Sequence, residues 1–116
     1  MKQEAFTMPL LFDTYGALLT EKQQTYFDLY YNQDLSLAEI AEQEGISRQG
    51  VHDAISRSEA LLASFERVTG CVAREQKLRH ALAAITAEAQ PLLQAGDPAT
   101  RQGAQRILAA VDSLKE

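Results

Sequence analysis

Apolar residues recur along this chain at the three- and four-residue steps of amphipathic helices, and no stretch alternates as a strand does. Met8, Leu11, Phe12, Tyr15, Leu18 and Leu19 set a first helical stripe, with Pro9 suited to its first turn. In "TEKQ", Thr20 can cap the next helix while Gln23 returns the bond. That helix carries Tyr26, Phe27, Leu29, Tyr30 and Tyr31 and is expected to end near "NQD". Most of this aromatic cluster is expected in the core, with Tyr31 as the member facing outward.

The next stretch, "SLAEIAEQEGISRQGVHDAIS", spells a helix, a turn and a second helix. Ser36 and Glu39 form a second capping box, and Ile40 and Ala41 face inward. Gly45 ends the helix in the left-handed conformation that glycine adopts without strain. Ile46 is expected to plug the turn, and Ser47 to cap a helix whose inner face holds Val51 and Ile55, continuing to Leu61, Leu62, Phe65 and Val68. A helix-turn-helix needs a small residue where its helices touch, a glycine four residues later and a branched apolar anchor six residues beyond that. Ala41, Gly45 and Val51 meet the three requirements.

Gly70 leaves two readings open: one helix runs through it, or a new one begins near Val72. From there Leu78, Leu82, Ile85, Ala89 and Leu92 step 4, 3, 4, 3, the seam of a helix that packs on another helix. Pro91 should kink or shorten this helix. "AGDPAT" marks a boundary, with Gly96 as stop, Asp97 as cap and Pro98 as first helical residue, and the last helix buries Ala104, Ile107, Leu108, Val111 and Leu114. The fold class is all-α: a helix-turn-helix domain over residues 1–69, then a helical extension over 70–116, expected to be a helix hairpin. The hairpin offers more apolar surface than residues 8–68 can cover, so it is expected to join two copies as a homodimer.

Composition narrows the function. The 116 residues suit one domain with an extension, long enough to bury a core without staples, and no apolar run approaches the ~20 residues of a membrane span. The N-terminus makes a poor signal peptide, so a cytoplasmic protein with no membrane partner is expected. The single Cys71 excludes an intramolecular disulfide and is expected to be a buried, inert thiol. Net charge is −5, and residues 20–65 carry three basic against eight acidic residues, so the whole deficit lies in the motif-bearing half. Affinity for nucleic acid comes largely from neutralised phosphates, which counts against strong unaided DNA binding.

The second motif helix nevertheless offers Arg48, Gln49, His52, Ser56 and Arg57 on one side as candidate nucleic-acid-binding residues. Arg and Gln make bidentate contacts to guanine and adenine edges. Asp53, within the same stretch, would approach phosphates unfavourably, and Gly50 lowers helix propensity while letting a partner's backbone come close. A helix pair that only builds a small core fits the same residues. His52 and His80 are too far apart in sequence to suggest a site, no Cys/His/Asp cluster has zinc spacing, and no glycine-rich phosphate loop appears. Ser, His and Asp of the motif lie on one helix, whereas a catalytic triad converges from separate elements. The reading is therefore non-enzymatic, with no catalytic residue, metal or cofactor.

The stretch from "LFDTYGALLTEKQ" to "SRSEALLASFE" resembles the YlxM family, small bacterial helix-turn-helix proteins associated with signal recognition particle genes. "LLTEKQ", "LYY", "DLSLAEIAE", "SRQGV" and "SRSE" carry the resemblance, which covers residues 8–68 and fades beyond them. The same stretch is similar, more distantly, to the promoter-reading C-terminal region of sigma factors, through the skeleton "LTEKQ…EIAE…GIS…V". Gly50 and His52 depart from the alanine and the aromatic that the resemblance leads one to expect, and the second helix is less basic. The resemblance implies a sigma-region-like helix-turn-helix and a regulatory or accessory role in the signal recognition particle pathway. It would act by binding the particle's GTPase, its RNA, or both. A DNA-reading transcription regulator and a protein-interaction module with an acidic docking face are the alternatives. The DNA-reading positions of sigma factors fall on Arg48, Gln49, His52 and Arg57, of which the arginines and Gln49 are chemically suited.

Overall fold

A computed structural model describes residues 7–115, and those residues form helices and connecting turns. By internal contacts the chain divides into two compact units, with the boundary between Val72 and Ala73.

In the first unit, α1 (Thr7–Tyr15) buries Met8, Leu11 and Tyr15 and runs into a 3-10 turn at Gly16–Leu18. Gly16 lies close under Phe12 there, and a Cβ would stand 3.0 Å from Phe12 Cδ1, so a larger residue would press on that ring. The turn rotates the chain, so Leu19 is buried while Leu18 is 68% exposed; the single stripe expected through both residues breaks at this point. Helix α2 (Glu21–Phe27) starts on the expected capping box, Gln23 N–H to Thr20 Oγ1 at 3.2 Å and Thr20 N–H to Gln23 Oε1 at 2.9 Å. It continues as a widened π turn over Asp28–Asn32, closed by Gln33 N–H donating to the Asp28 carbonyl and followed by Asp34, a non-glycine residue at φ 58°.

Helix α3 (Leu37–Glu44) begins on the Ser36–Glu39 capping box and stops at Gly45, whose φ of 70° is left-handed as expected. Helix α4 (Arg48–Thr69) follows, capped by Ser47 Oγ accepting from Gly50 N–H at 2.9 Å. Its inner stripe is Val51, Ile55, Ser58 and Leu62, all fully buried. Ser58 is the polar member, and its hydroxyl donates to the Ala54 carbonyl at 2.9 Å, so burial leaves it satisfied.

Helix α4 ties two apolar clusters together. Val51 and Ile55 pack with Tyr26, Leu29, Tyr30, Leu37 and Ile40; Leu62 packs with Met8, Leu11, Tyr15, Leu19 and Phe27. Phe12, Phe27 and Tyr31 stack in series with centroids 4.5 Å apart at each step. Tyr31, the outermost member of its cluster as expected, is half-buried where the others are buried, and its hydroxyl donates to the Glu59 carboxylate of α4. Two motif residues are less enclosed than expected. Ala41 is half-buried against the first cluster, and Ile46 is 38% exposed; the turn between them closes through the Ile46 N–H bond to the Ala41 carbonyl at 3.1 Å.

Gly70, at φ 64°, breaks the chain between α4 and α5 (Cys71–Ala89). Around this joint, Tyr15 Oη donates to Glu66 Oε1 and also meets Thr69 Oγ1, each at 2.5 Å. The same two groups accept from the backbone N–H of Val72 at 3.0 Å and of Cys71 at 3.3 Å. Cys71 itself is exposed, not buried as expected, since it sits at the N-terminal turn of α5.

In the second unit α5 passes at Gln90 into a 3-10 turn, Gln90–Gln94, at Pro91, the shortening that proline imposes. Ala95, in extended conformation, ends this turn in place of Gly96, and Arg101 holds the connection by donating to the carbonyls of Ala95 at 2.7 Å and Gly96 at 3.0 Å. Asp97 caps α6 (Pro98–Leu114), accepting from Thr100 N–H at 3.0 Å. Helix α6 returns along α5, and Leu114 and Lys115 line one groove with Glu75, Leu78, Arg79 and Leu82. Of the expected seams only Leu82 and Ala89 on α5 and Ala104 and Val111 on α6 are buried.

Candidate nucleic-acid interface

Ser47 starts α4, and Val51 and Ile55, both fully buried, fix its rotation about its own axis. Everything else about its outer face follows from 3.6 residues per turn. Arg48, Gln49, His52, Ser56 and Arg57 all fall on the first three turns; Gln49 and Arg57 point away from the buried stripe, whereas Arg48 lies beside it at the open start of the helix. Arg48, Gln49 and Arg57 are exposed, while His52 and Ser56 are half-buried. Neither arginine has an ion-pair partner among the described residues.

At about 100° per residue, Asp53 lies opposite the buried stripe, between Gln49 and Arg57. It stands within the candidate surface, with its side chain 58% exposed. Gln49 Nε2 donates to Asp53 Oδ1 at 2.9 Å, so the amide suited to reading an adenine edge is engaged within the helix. The glutamine and aspartate stand four residues apart, a spacing that brings side chains together on any helix and could have shown this pair in advance. His52 Nδ1 is 3.5 Å from the same carboxylate oxygen and has no hydrogen-bond partner among the described residues. A carboxylate therefore gathers two of the five candidate side chains.

The surroundings are acidic as well. The first 72 residues hold five basic against eleven acidic residues, a net of −6, and residues 73–116 sum to +1. On α3, Glu39, Glu42 and Glu44 are exposed. The Ser36 backbone N–H, followed by its hydroxyl, holds the Glu39 carboxyl below the usual carboxylate range, so this charge persists into mildly acidic solution. Among the described residues no group of three His, Cys, Asp or Glu side chains could hold a metal ion, and no helix is long and apolar enough to cross a membrane.

A sequence profile described as "Putative helix-turn-helix protein, YlxM / p13 like" matches residues 2–95. The chain is 47% identical over 102 residues to a UPF0122 protein of Symbiobacterium thermophilum, covering 88% of this chain and 89% of that one. A UPF0122 protein of Clostridium kluyveri is 56% identical over 64 residues, 55% of this chain and 58% of its own. One from Halalkalibacterium halodurans is 40% identical over 116 residues, 99% of this chain and 100% of its own. The likeness therefore does not stop at residue 68. It continues through α5 and its 3-10 extension, where no short motif signals it. With an all-α fold, both capping boxes and the glycine turn in place, the chain belongs to the UPF0122 family of YlxM / p13-like helix-turn-helix proteins.

Proposed function

We propose that this protein is a non-enzymatic, cytoplasmic accessory factor of the signal recognition particle pathway, whose helix-turn-helix docks on the particle's GTPase. The family resemblance supports the pathway. The exposed carboxylate on the outer face of α4 supports the choice of a protein over a nucleic acid: Asp53 engages Gln49 and stands between it and Arg57, where a phosphate or a base edge would have to approach. A unit carrying −6 matches a basic protein surface and repels phosphates. Arg48 and Arg57 then flank the contact as partners for acidic groups at its rim.

The particle's RNA, or DNA read as sigma factors read promoters, is the second reading. It rests on the two arginines, which have no ion-pair partner among the described residues, and on the capped start of α4, whose N–H groups favour anions. Titration of purified GTPase, particle RNA and duplex DNA against this protein at two salt concentrations separates the readings. Under the proposal the GTPase binds, and Glu39→Lys, Glu42→Lys and Glu44→Lys each slow its association, because steering depends on charge at the rim. If RNA or DNA binds instead, Arg48→Ala and Arg57→Ala should each remove about one unit from the salt slope. Binding of the RNA alone, insensitive to the glutamates, would overturn the proposal.

A further inference from the structure

The second unit carries apolar residues in two registers. On α5, Leu82 and Ala89 are buried, seven residues apart, while Leu78 and Ile85, also seven apart, are 48% and 44% exposed, and Leu92, seven further on in the 3-10 turn, is 43% exposed. On α6, Ala104 and Val111 are buried, again seven apart, while Ile107 and Leu114 are 44% and 60% exposed. A seven-residue step is the repeat of a seam between packed helices, because it keeps one face toward a partner. Each helix of the hairpin therefore has one seam filled and one seam open.

We propose that the open seams dock a second copy of this chain, so that two α5–α6 hairpins pair as a four-helix bundle through Leu78, Ile85, Leu92, Ile107 and Leu114.

Three observations select a second copy over another occupant. The first is reciprocity. The partner for an open heptad seam is a helix with an open heptad seam, and the hairpin presents two of them; a two-fold axis lets each copy cover the other with the same patch. The second is charge. Residues 73–116 hold six basic and five acidic residues, and Glu75 and Arg79 are already paired at 2.9 Å, so two such surfaces meet without repulsion and without calling for a strongly charged partner. The third is area. Five large side chains, each about half exposed, leave apolar surface on the order of 400 Å2, in the range where patches on single chains mark interaction sites. Doubled and surrounded by a polar rim, it reaches the size class of specific interfaces.

The groove of about 760 Å3 between α5 and the end of α6 points the same way. Leu78, Leu82 and Leu114 line it, and so does Thr86, whose hydroxyl is buried without a hydrogen-bond partner among the described residues. A second copy would close the apolar walls and bring polar side chains of its own, such as Arg79 or Lys115, within reach of that hydroxyl. This inference is independent of what α4 binds.

Light scattering on the full-length chain at micromolar concentration tests it. The expected mass is near twice the 12.8 kDa of one chain. Ile85→Glu combined with Ile107→Glu should bring it to one chain, because both carboxylates would enter an interface that offers them no partner. Both residues are 44% exposed within one chain, so helicity by circular dichroism should be kept. If that variant loses helicity, Leu78→Gln with Leu92→Gln, a milder change on the same seam, decides the matter. Leu18→Glu, at a 68% exposed site of the first unit, should leave the mass doubled. A one-chain mass for the unaltered protein overturns the proposal. So does a doubled mass that survives both seam variants, or one that Leu18→Glu abolishes.

Discussion

Ile55 and Ile46 occupy equivalent-looking apolar positions of the helix-turn-helix, and their truncation should separate them. Ile55 is fully buried against Tyr26, Leu29, Tyr30, Leu37, Ile40 and Val51. Ile55→Ala removes three buried carbons, worth ~2.4 kcal/mol at about 0.8 kcal/mol each. The cavity left among two tyrosines and four aliphatic side chains adds to that, for a total of about 3–4 kcal/mol. A unit of this size has roughly 4–10 kcal/mol of stability, so the variant should sit close to its unfolding midpoint at physiological temperature. Ile46 is 38% exposed, and Ile46→Ala gives up only the covered fraction, about 1.5 kcal/mol, with no enclosed cavity. All four tyrosines, Tyr15, Tyr26, Tyr30 and Tyr31, lie in the first unit and the chain has no tryptophan. Tyrosine fluorescence during urea unfolding therefore reports this unit alone. A drop in the urea midpoint for Ile55→Ala at least twice that for Ile46→Ala is expected. Equal losses in the two variants would refute the packing derived for α4.

The joint between α4 and α5 yields two more expectations. Gly70→Ala places a Cβ at φ 64° and should cost about 1–2 kcal/mol in the same urea assay, with helicity of α4 and α5 otherwise kept. Burial, then the hydrogen bond to Glu66, pushes the Tyr15 hydroxyl above its ordinary value. A proton held more tightly in the folded than in the unfolded chain stabilises fully below the unfolded value and is lost as pH rises through the folded one. Stability should therefore fall above about pH 10, the ordinary range for tyrosine. Tyr15→Phe should be less stable at neutral pH and should lose part of that alkaline decline; an identical pH profile in the variant would remove Tyr15 as its source.

The local sequence determined every device that acts within a few residues. Thr20–Gln23 and Ser36–Glu39 are capping boxes because a hydroxyl and a side-chain acceptor three residues apart can each reach the other's backbone N–H, whatever surrounds them. Gly45 ends α3, and Asp97 with Pro98 starts α6, for equally local reasons. The period of Val51, Ile55 and Leu62 set which face of α4 turns inward, and with it the outward placing of Gln49 and Arg57. Tertiary structure decided what periodicity leaves degenerate. Pattern alone marks Leu78 and Leu82 alike, yet one is exposed and the other buried, because a single hairpin offers one covering helix to each seam. Gly70 fits a helix interior or a break by sequence, and the Tyr15 bridge to Glu66 and Thr69, from a helix more than fifty residues earlier, holds the break in place. Tyr31 is the outermost of its cluster, as its sequence position suggests, but its hydroxyl bond to Glu59 on another helix is a tertiary contact. Hydrogen bonds between distant segments depend on how helices cross, and no spacing along one helix encodes that.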